Sequence, residues 1–159
     1  MRYMFSGIDP GIVTTGVVTL SIDSEARAFE VYEKAFTQEE LPLLESWIPL
    51  HSSRRIFIEA YEPRSNFGHD TRMAELVKQI ADKTGGKVIS NKGVKKVIRK
   101  KLMEHLGLWN FQTRTHHQDL RSAAYIMLYG MVKDEVGNQL LAQIVWDHLF
   151  HDDWGNLTP

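Results

Sequence analysis

The sequence predicts an α/β fold: a mixed five-stranded sheet with helices on both faces. Three observations support this prediction. Apolar runs without helical periodicity alternate with short turns over the first 35 residues. Later segments repeat apolar residues every three or four positions, as amphipathic helices do. The elements then follow one another in the order βββαβαβα. Strands joined by short turns form an antiparallel meander, whereas strands separated by crossover helices run parallel.

The strands are predicted from their β-branched and aromatic content and from the turns between them. The first is apolar and ends at a Pro10-Gly11 turn, and the second and third are separated by Asp23-Ser24-Glu25. The fourth is the short run Ile56-Phe57-Ile58, and the fifth follows Gly85-Gly86. The predicted strands cover residues 3–9, 13–22, 28–35, 55–60 and 87–90.

The helices are predicted from apolar stripes and terminal signals. Thr37 and Glu40 match a capping box, and Gly85 is a typical helix end. In the third helix, four basic residues lie opposite a stripe that includes Val94 and Leu102. The predicted helices cover residues 38–48, His69 or Asp70 to about 84, 93–106, His116 or His117 to about 134, and 138–150.

The composition indicates a single domain over residues 1–159. A chain of 159 residues with 43% hydrophobic and 25% charged residues can bury one substantial core. With no cysteine, disulfide scaffolds, thiolate zinc sites and cysteine nucleophiles are excluded. No apolar run is long enough for a membrane span and no signal peptide precedes the first strand. We expect a cytoplasmic or nucleoid-associated protein that is not secreted and has no membrane partner.

Charge is concentrated in one part of the chain. The net charge is −1, but residues 78–121 contain 11 Lys and Arg against 3 Asp and Glu. The segments on either side are acidic. This distribution predicts one face that binds a polyanion. The alternative is a solvated helix face with no binding role.

Three acids stand at the ends of predicted elements. Asp9 ends the first strand, Glu59 ends the fourth, and Asp119 lies in the first turn of the long helix. His116 precedes Asp119 by three residues and so shares its helix face. Converging carboxylates bind hard divalent cations, and two such ions about 4 Å apart can promote phosphodiester hydrolysis. The pattern predicts a site for two Mg²⁺ or Mn²⁺ ions.

Each of these residues also has a purely structural interpretation. Asp9 could cap its own turn, and Glu59 could be a surface acid after an edge strand. Asp119 could favour the helix dipole, and His116 could be a capping or surface histidine. All three acids falling at element ends within one small domain argues against coincidence.

Four segments carry a resemblance to a known family: Gly7-Ile8-Asp9-Pro10-Gly11 with Thr15-Gly16, Ile58-Glu59, His116-x-x-Asp119, and Ala123-Ala124. Together they are similar to the RuvC-type Holliday-junction resolvases of the RNase H-like superfamily, in element order from about residue 3 to 133. The resemblance implies an RNase H-like nuclease fold with Asp9, Glu59 and Asp119 as catalytic metal ligands. The family commonly has Asp, and in some members His, where His116 stands. Imidazole suits Mn²⁺ better than Mg²⁺.

The resemblance also implies contacts with DNA. Lys92 and Lys95 match basic residues near the scissile phosphate and are assigned to the catalytic set with His116. An aromatic residue in the loop after Glu59 is thought to enter the junction in this family, which here selects Phe67. Phe67 could instead pack on the following helix. The remaining predicted DNA contacts are Arg64, Lys96, Arg99 and Lys100.

The favoured function is a Holliday-junction resolvase that cuts branched DNA by paired symmetric nicks. Two symmetric cuts require two sites, so a homodimer is expected, with the apolar face of the helix at 70–84 as its contact surface. One alternative is a related nuclease that acts on flaps, forks or RNA–DNA hybrids with the same acids. Another is a nucleic-acid-binding module without catalysis.

Overall fold

A mixed sheet of five strands forms the centre of the fold, as the sequence predicts. The computed structural model describes residues 1–48, 53–63, 70–112 and 115–145. The strands in these ranges are β1 (Arg2–Asp9), β2 (Thr14–Asp23), β3 (Ala28–Thr37), β4 (Arg54–Glu59) and β5 (Lys87–Ile89). Their order across the sheet is β3-β2-β1-β4-β5. The first three strands pair antiparallel, and β4 and β5 run parallel to β1.

Helices connect and cover these strands. They are α1 (Leu44–Trp47), α2 (Thr71–Thr84), α3 (Val94–Val97), α4 (Lys100–His105), α5 (His117–Lys133) and α6 (Glu135–Val145), with a 3-10 turn at Leu41–Leu43 before α1. The limits predicted for α2 and α5 are confirmed. Asp70 accepts a hydrogen bond from the Arg72 N–H at the start of α2, and Gly85 ends it in a left-handed conformation. None of the described helices is both long and apolar enough to cross a membrane.

The sheet buries both faces, which confirms the predicted placement of helices. On one face Phe5, Leu20 and Phe57 pack in the same buried cluster as residues of α3, α4, α5 and α6. On the other face strand residues such as Ile8 and Ile58 pack with Leu76, Val77 and Ile80 of α2. The apolar face of α2 is therefore used within the core, and the prediction that it forms a dimer contact is wrong.

The helix predicted over residues 38–48 is much shorter. Thr37 and Glu40 do form the reciprocal hydrogen bonds of a capping box, at 3.2 Å from the Thr37 N–H and 3.3 Å from the Glu40 N–H. Thr37 is still the last residue of β3, so these bonds close a turn. Pro42, which has no N–H, stands at the start of the 3-10 turn that follows.

The basic helix predicted over residues 93–106 is broken in two. Ile98 and Arg99 adopt extended backbone conformations between α3 and α4. Ile98 is nevertheless fully buried, in the same cluster as Val94 and Leu102. Tertiary packing of the apolar residues therefore overrides the helical pattern here. The lysines of the two short helices do not share one helix face as the sequence suggests.

The helix α5 lies very close to the strands at two glycines. A Cβ at Gly7 of β1 would collide with the Ala123 carbonyl oxygen and with Met127. A Cβ at Gly16 of β2 would lie 2.8 Å from the Asp119 carbonyl oxygen. These strand positions must therefore lack a side chain. On α5, Ala123 and Met127 meet Gly7, and Asp119 meets Gly16.

Candidate active site

Strand pairing brings Asp9 and Glu59 together. The last residue pair between β1 and β4 is Ile8 with Ile58, so the next residues along, Asp9 and Glu59, end neighbouring parallel strands. Two residues earlier, Gly7 and Phe57 both contact α5. Because side chains alternate along a strand, Asp9 and Glu59 lie on that same face.

Helix packing adds Asp119 to this pair. Asp9 is paired with Gly16 across β1 and β2. The Asp119 main chain rests on Gly16, since a Cβ added to Gly16 would lie 2.8 Å from the Asp119 carbonyl oxygen and 3.2 Å from the Asp119 Cβ. The first turn of α5 therefore stands over the neighbour of Asp9. The structure brings the three predicted acids together from three separate segments.

Burial and two neighbouring acids oppose the ionisation of Asp9. Its pKa is raised from 3.8 to about 9, first by burial, then by a hydrogen bond and charge repulsion from Glu59, and then by the charge of Asp119. Without a cation, Asp9 therefore holds a proton at neutral pH and is hydrogen-bonded to Glu59. A group of acids in this state has a strong electrostatic reason to accept positive charge.

His116 faces Asp119. Its Nδ1 lies 3.4 Å from the Asp119 Oδ2, and both side chains are partly exposed. His116 is the residue just before α5, with a left-handed φ of 64°. That conformation is uncommon for a residue with a Cβ and turns the imidazole back toward the helix. The structure places His116 beside one acid of the group.

The acids could hold a divalent cation, although their side chains are not arranged as a closed site. Within the four described ranges, no three Asp, Glu or His side chains are grouped so as to hold a metal ion. The donor set nevertheless fits a hard cation: all three are carboxylates, and the protonation of Asp9 reflects burial first and then the negative charge of the two neighbouring acids. Side-chain rotations would be needed to bring their oxygens to one point.

An open cleft runs from the acids between α3 and α5. Its volume is about 580 Å³, and Asp9 and Glu59 stand in its wall. Lys95 and Lys96 line it from α3. From α5 it is lined by polar and aromatic residues, namely Gln118, Ser122 and Tyr125. One wall is therefore cationic and the other can donate and accept hydrogen bonds, which suits a phosphate-bearing chain.

A second, smaller cleft opens on the other side of the acids. Its volume is about 220 Å³. Three residues line both this cleft and the large one: Asp9, Glu59 and Asn91. Glu62 also lines it and forms an ion pair with Lys92, whose Nζ lies 3.5 Å from the Glu62 Oε2. Asp9 and Glu59 therefore stand between two open clefts and line both of them.

The other predicted DNA contacts are separated from this group. Lys100 lies over the Trp109 ring, 4.7 Å from its centroid, and Arg121 lies 4.2 Å from the same centroid. Arg99 stands at the break between α3 and α4. The single basic face predicted from the sequence is therefore divided, with Lys95 and Lys96 at the cleft. Phe67 and Arg64 lie outside the described residues.

Sequence reasoning missed several residues of the site. Asn91 donates a hydrogen bond from its Nδ2 to the Glu59 Oε1. It follows the strand next to β4, so the rule that selected Asp9 and Glu59, a polar residue after a strand, applies to it too. Ser122 and Tyr125 lie one and two turns beyond Gln118 on α5. This helical spacing places the three residues on one face of the helix and could have identified them from the sequence.

The comparisons with known proteins add little to this geometry. No protein-family model matches the sequence, and no curated protein is similar to it in sequence. Among solved structures, a match is found with fowlpox virus resolvase in complex with its substrate, Holliday junction DNA. It covers 89% of this chain and 91% of that chain, at 8% identity and a TM-score of 0.36. At these values the neighbour's site and activity cannot be transferred to this chain.

Proposed function

We propose that this protein is a metal-dependent endonuclease that cleaves branched DNA, as a Holliday-junction resolvase making paired symmetric nicks. The observation that carries the proposal is the group formed by Asp9, Glu59 and Asp119 at the edge of a lysine-lined cleft. Acids that suppress the ionisation of Asp9 favour a cation, and the adjacent lysines favour a polyanion. The choice of a branched substrate rests on the motifs of the sequence.

The chain's own residues supply binding and orientation in this proposal. Bound Mg²⁺ or Mn²⁺, two ions to a site, would supply a Lewis acid that activates water and stabilises the leaving oxygen. Asp9 and Glu59 would hold the cations from the strand ends, and Asp119 would hold them from α5. His116 orients Asp119 or binds beside it. Asp9 must lose its proton when a cation binds.

The lysines act on the substrate. Lys95 and Lys96 neutralise phosphates along the large cleft, which contributes affinity without sequence preference. Lys95 lines the same cleft as Asp9 and Glu59, whereas Lys92 does not. Lys95 is therefore the candidate for stabilising the charge that develops on the scissile phosphate. Lys92 would first have to leave Glu62, an exchange that costs little because Lys92 is 83% exposed.

Two symmetric cuts require two copies of the site. We therefore propose a homodimer, whose contact must lie elsewhere than on the buried apolar face of α2. Sedimentation of the free protein and of its complex with a four-way junction measures this directly. A complex that holds one copy of the chain would contradict paired cutting.

The decisive experiment is cleavage of a labelled four-way junction with Mg²⁺ and with Mn²⁺. A linear duplex, a flap, a fork and an RNA–DNA hybrid are compared under the same conditions, and Asp9→Asn is the control. Paired symmetric nicks in the junction alone, absent with the control, are expected.

The other outcomes identify the alternatives. Cleavage of the flap, fork or hybrid would make the protein a related nuclease with the same acids. Binding of the junction without cleavage under either metal would make it a nucleic-acid-binding module, and cleavage that persists in Asp9→Asn would remove the acids from the site.

A further inference from the structure

Asn91 occupies the point where the two clefts meet. It is exposed, follows β5 by two residues, and lines both clefts with Asp9 and Glu59. Glu59, the last residue of β4, is paired with Ile89, the last residue of β5. Asn91 therefore lies two residues beyond the partner of Glu59. The function proposed above gives Asn91 no role.

The Asn91 side chain is directed at one oxygen of Glu59. Its Nδ2 donates a hydrogen bond to the Glu59 Oε1. Its main-chain carbonyl accepts a hydrogen bond from the Val94 N–H at 3.2 Å, which ties Asn91 to the start of α3. The donor is thus attached to a fixed part of the backbone, and the other Glu59 oxygen is left for other partners.

The residues on either side of Asn91 hold the same segment in place. The Ser90 hydroxyl donates a hydrogen bond to Glu62, and the Lys92 Nζ lies 3.5 Å from Glu62. Glu62 follows Glu59 by three residues along the chain. Each of residues 90–92 therefore contacts an acid at the end of β4 or just after it: Asn91 contacts Glu59, and Ser90 and Lys92 contact Glu62.

We propose that Asn91 is a positioning residue, whose amide holds the Glu59 carboxylate toward Asp9 so that both acids can share a divalent cation. This inference rests on the proposed function, since the role exists only if a cation binds. A free glutamate side chain loses rotamer entropy when it is fixed, and Asn91 removes part of that cost beforehand. A neutral amide achieves this without adding charge to a crowded group of acids.

Binding of Mn²⁺ alone, measured by calorimetry on the whole protein at fixed pH, tests the proposal. Loss of a residue that orients a metal ligand typically weakens affinity by about 10–100-fold, and we expect this for Asn91→Ala. Asn91→Asp should also bind Mn²⁺ more weakly, because an ionised carboxylate cannot donate to Glu59. Asn110→Ala, an exposed asparagine that contacts Arg121, is the matched control and should bind like the native chain.

Each alternative result has a definite meaning. Native affinity in Asn91→Ala would overturn the inference alone, and equal or tighter binding by Asn91→Asp would make Asn91 a ligand instead. If the native chain binds no Mn²⁺, the proposed function fails and the inference falls with it.

The hydrogen bond itself has a readout without metal. In the NMR spectrum of the metal-free protein, the side-chain amide signals of Asn91 should move on Glu59→Gln. Signals that stay in place would overturn the contact on which the inference depends.

Discussion

Asp9 illustrates how a single residue can be kept out of its usual ionisation state. The strand that ends in Asp9 is apolar, and its neighbours on two sides are Glu59 and Asp119. Burial therefore removes water from the carboxyl group while the two acids add negative potential. The resulting pKa of about 9 is a property of the assembled site, and the unfolded chain lacks it.

The raised pKa of Asp9 predicts how stability depends on pH. In the folded protein Asp9 titrates near 9, against 3.8 ordinarily, so between these values the folded state holds a proton that the unfolded chain has released. The contribution of Asp9 to stability therefore falls as pH rises through this window. In EDTA at pH 8, Asp9→Asn should raise the free energy of unfolding by at least about 1 kcal/mol, or roughly 2–4 °C in Tm.

The difference in Tm between Asp9→Asn and the native chain should shrink toward pH 5, because the free-energy cost of holding the proton accumulates from pH 3.8 upward and is smaller there. Asp82→Asn, on an exposed position of α2, is the control and should follow the native curve. A constant difference at all pH values would show that Asp9 ionises normally in the folded protein.

Replacement of Asp119 separates cleavage from binding. We expect Asp119→Asn to reduce junction cleavage by at least about 100-fold, because a cation ligand is removed. Binding of the junction should change less than about threefold, because the cleft lysines remain. Gel-shift and cleavage assays on the same samples measure both, and retained cleavage would exclude Asp119 from the site.

At the residue scale, the sequence predicted the acids and His116 but not Asn91. Asp9, Glu59 and Asp119 stood out because each stands at the end of an element, and elements of one sheet layer meet at an edge. Asn91 also follows a strand, but its hydrogen bond to Glu59 depends on where one amide points after folding. Whether these residues bind metal stays a prediction.

At the scale of elements, the contact of α5 with the sheet sets the geometry of the site. Gly7 lies under Ala123, and Gly16 lies under Asp119, one turn earlier along the helix. The main chains of strand and helix touch there without side chains between them. The distance from Asp9 to Asp119 therefore depends little on side-chain packing.

Substitution of Gly7 tests this contact. Gly7→Ala should lower the free energy of unfolding by about 2–4 kcal/mol, because the new Cβ meets the Ala123 carbonyl oxygen and Met127 within the core. Gly85→Ala is the comparison: its Cβ meets nothing within 4 Å, so only the left-handed φ of 70° should cost about 1–2 kcal/mol. Urea unfolding measures both, and equal losses would show that α5 yields easily.

The break between α3 and α4 predicts different roles for lysines that are close in sequence. The double variant of Lys95→Ala with Lys96→Ala should weaken junction binding and reduce the slope of log K against log salt by about 2, one for each phosphate that is no longer neutralised. Lys100→Ala, whose side chain lies on Trp109, should leave the slope unchanged. An equal effect of Lys100→Ala would indicate that the DNA path crosses both helices.

Element prediction succeeded where one apolar pattern matched one packing surface. The strands β1, β2 and β4 and the helices α2 and α5 each bury apolar residues, and their patterns were visible in the sequence. It failed at residues 93–106, where a continuous stripe is divided between two short helices. The apolar residues are buried as expected, but helical spacing alone could not reveal the change of direction at Ile98.

At the scale of the whole molecule, charge and topology coincide. The basic excess of residues 78–121 reaches the acids through α3, which follows β5 in the chain and lines the large cleft. The division into an antiparallel meander and parallel strands could be predicted, since short turns join the first three strands and helices separate the others. The two clefts could not, because their shapes depend on loops whose paths the sequence does not specify.

The contact between Gly16 and Asp119 has a consequence for protein engineering. A designer who moved this site to another scaffold and copied only the three acids would obtain carboxylates held too far apart, because any larger residue at position 16 would push the helix outward. The smallest portable unit is therefore the three acids together with Gly7 and Gly16.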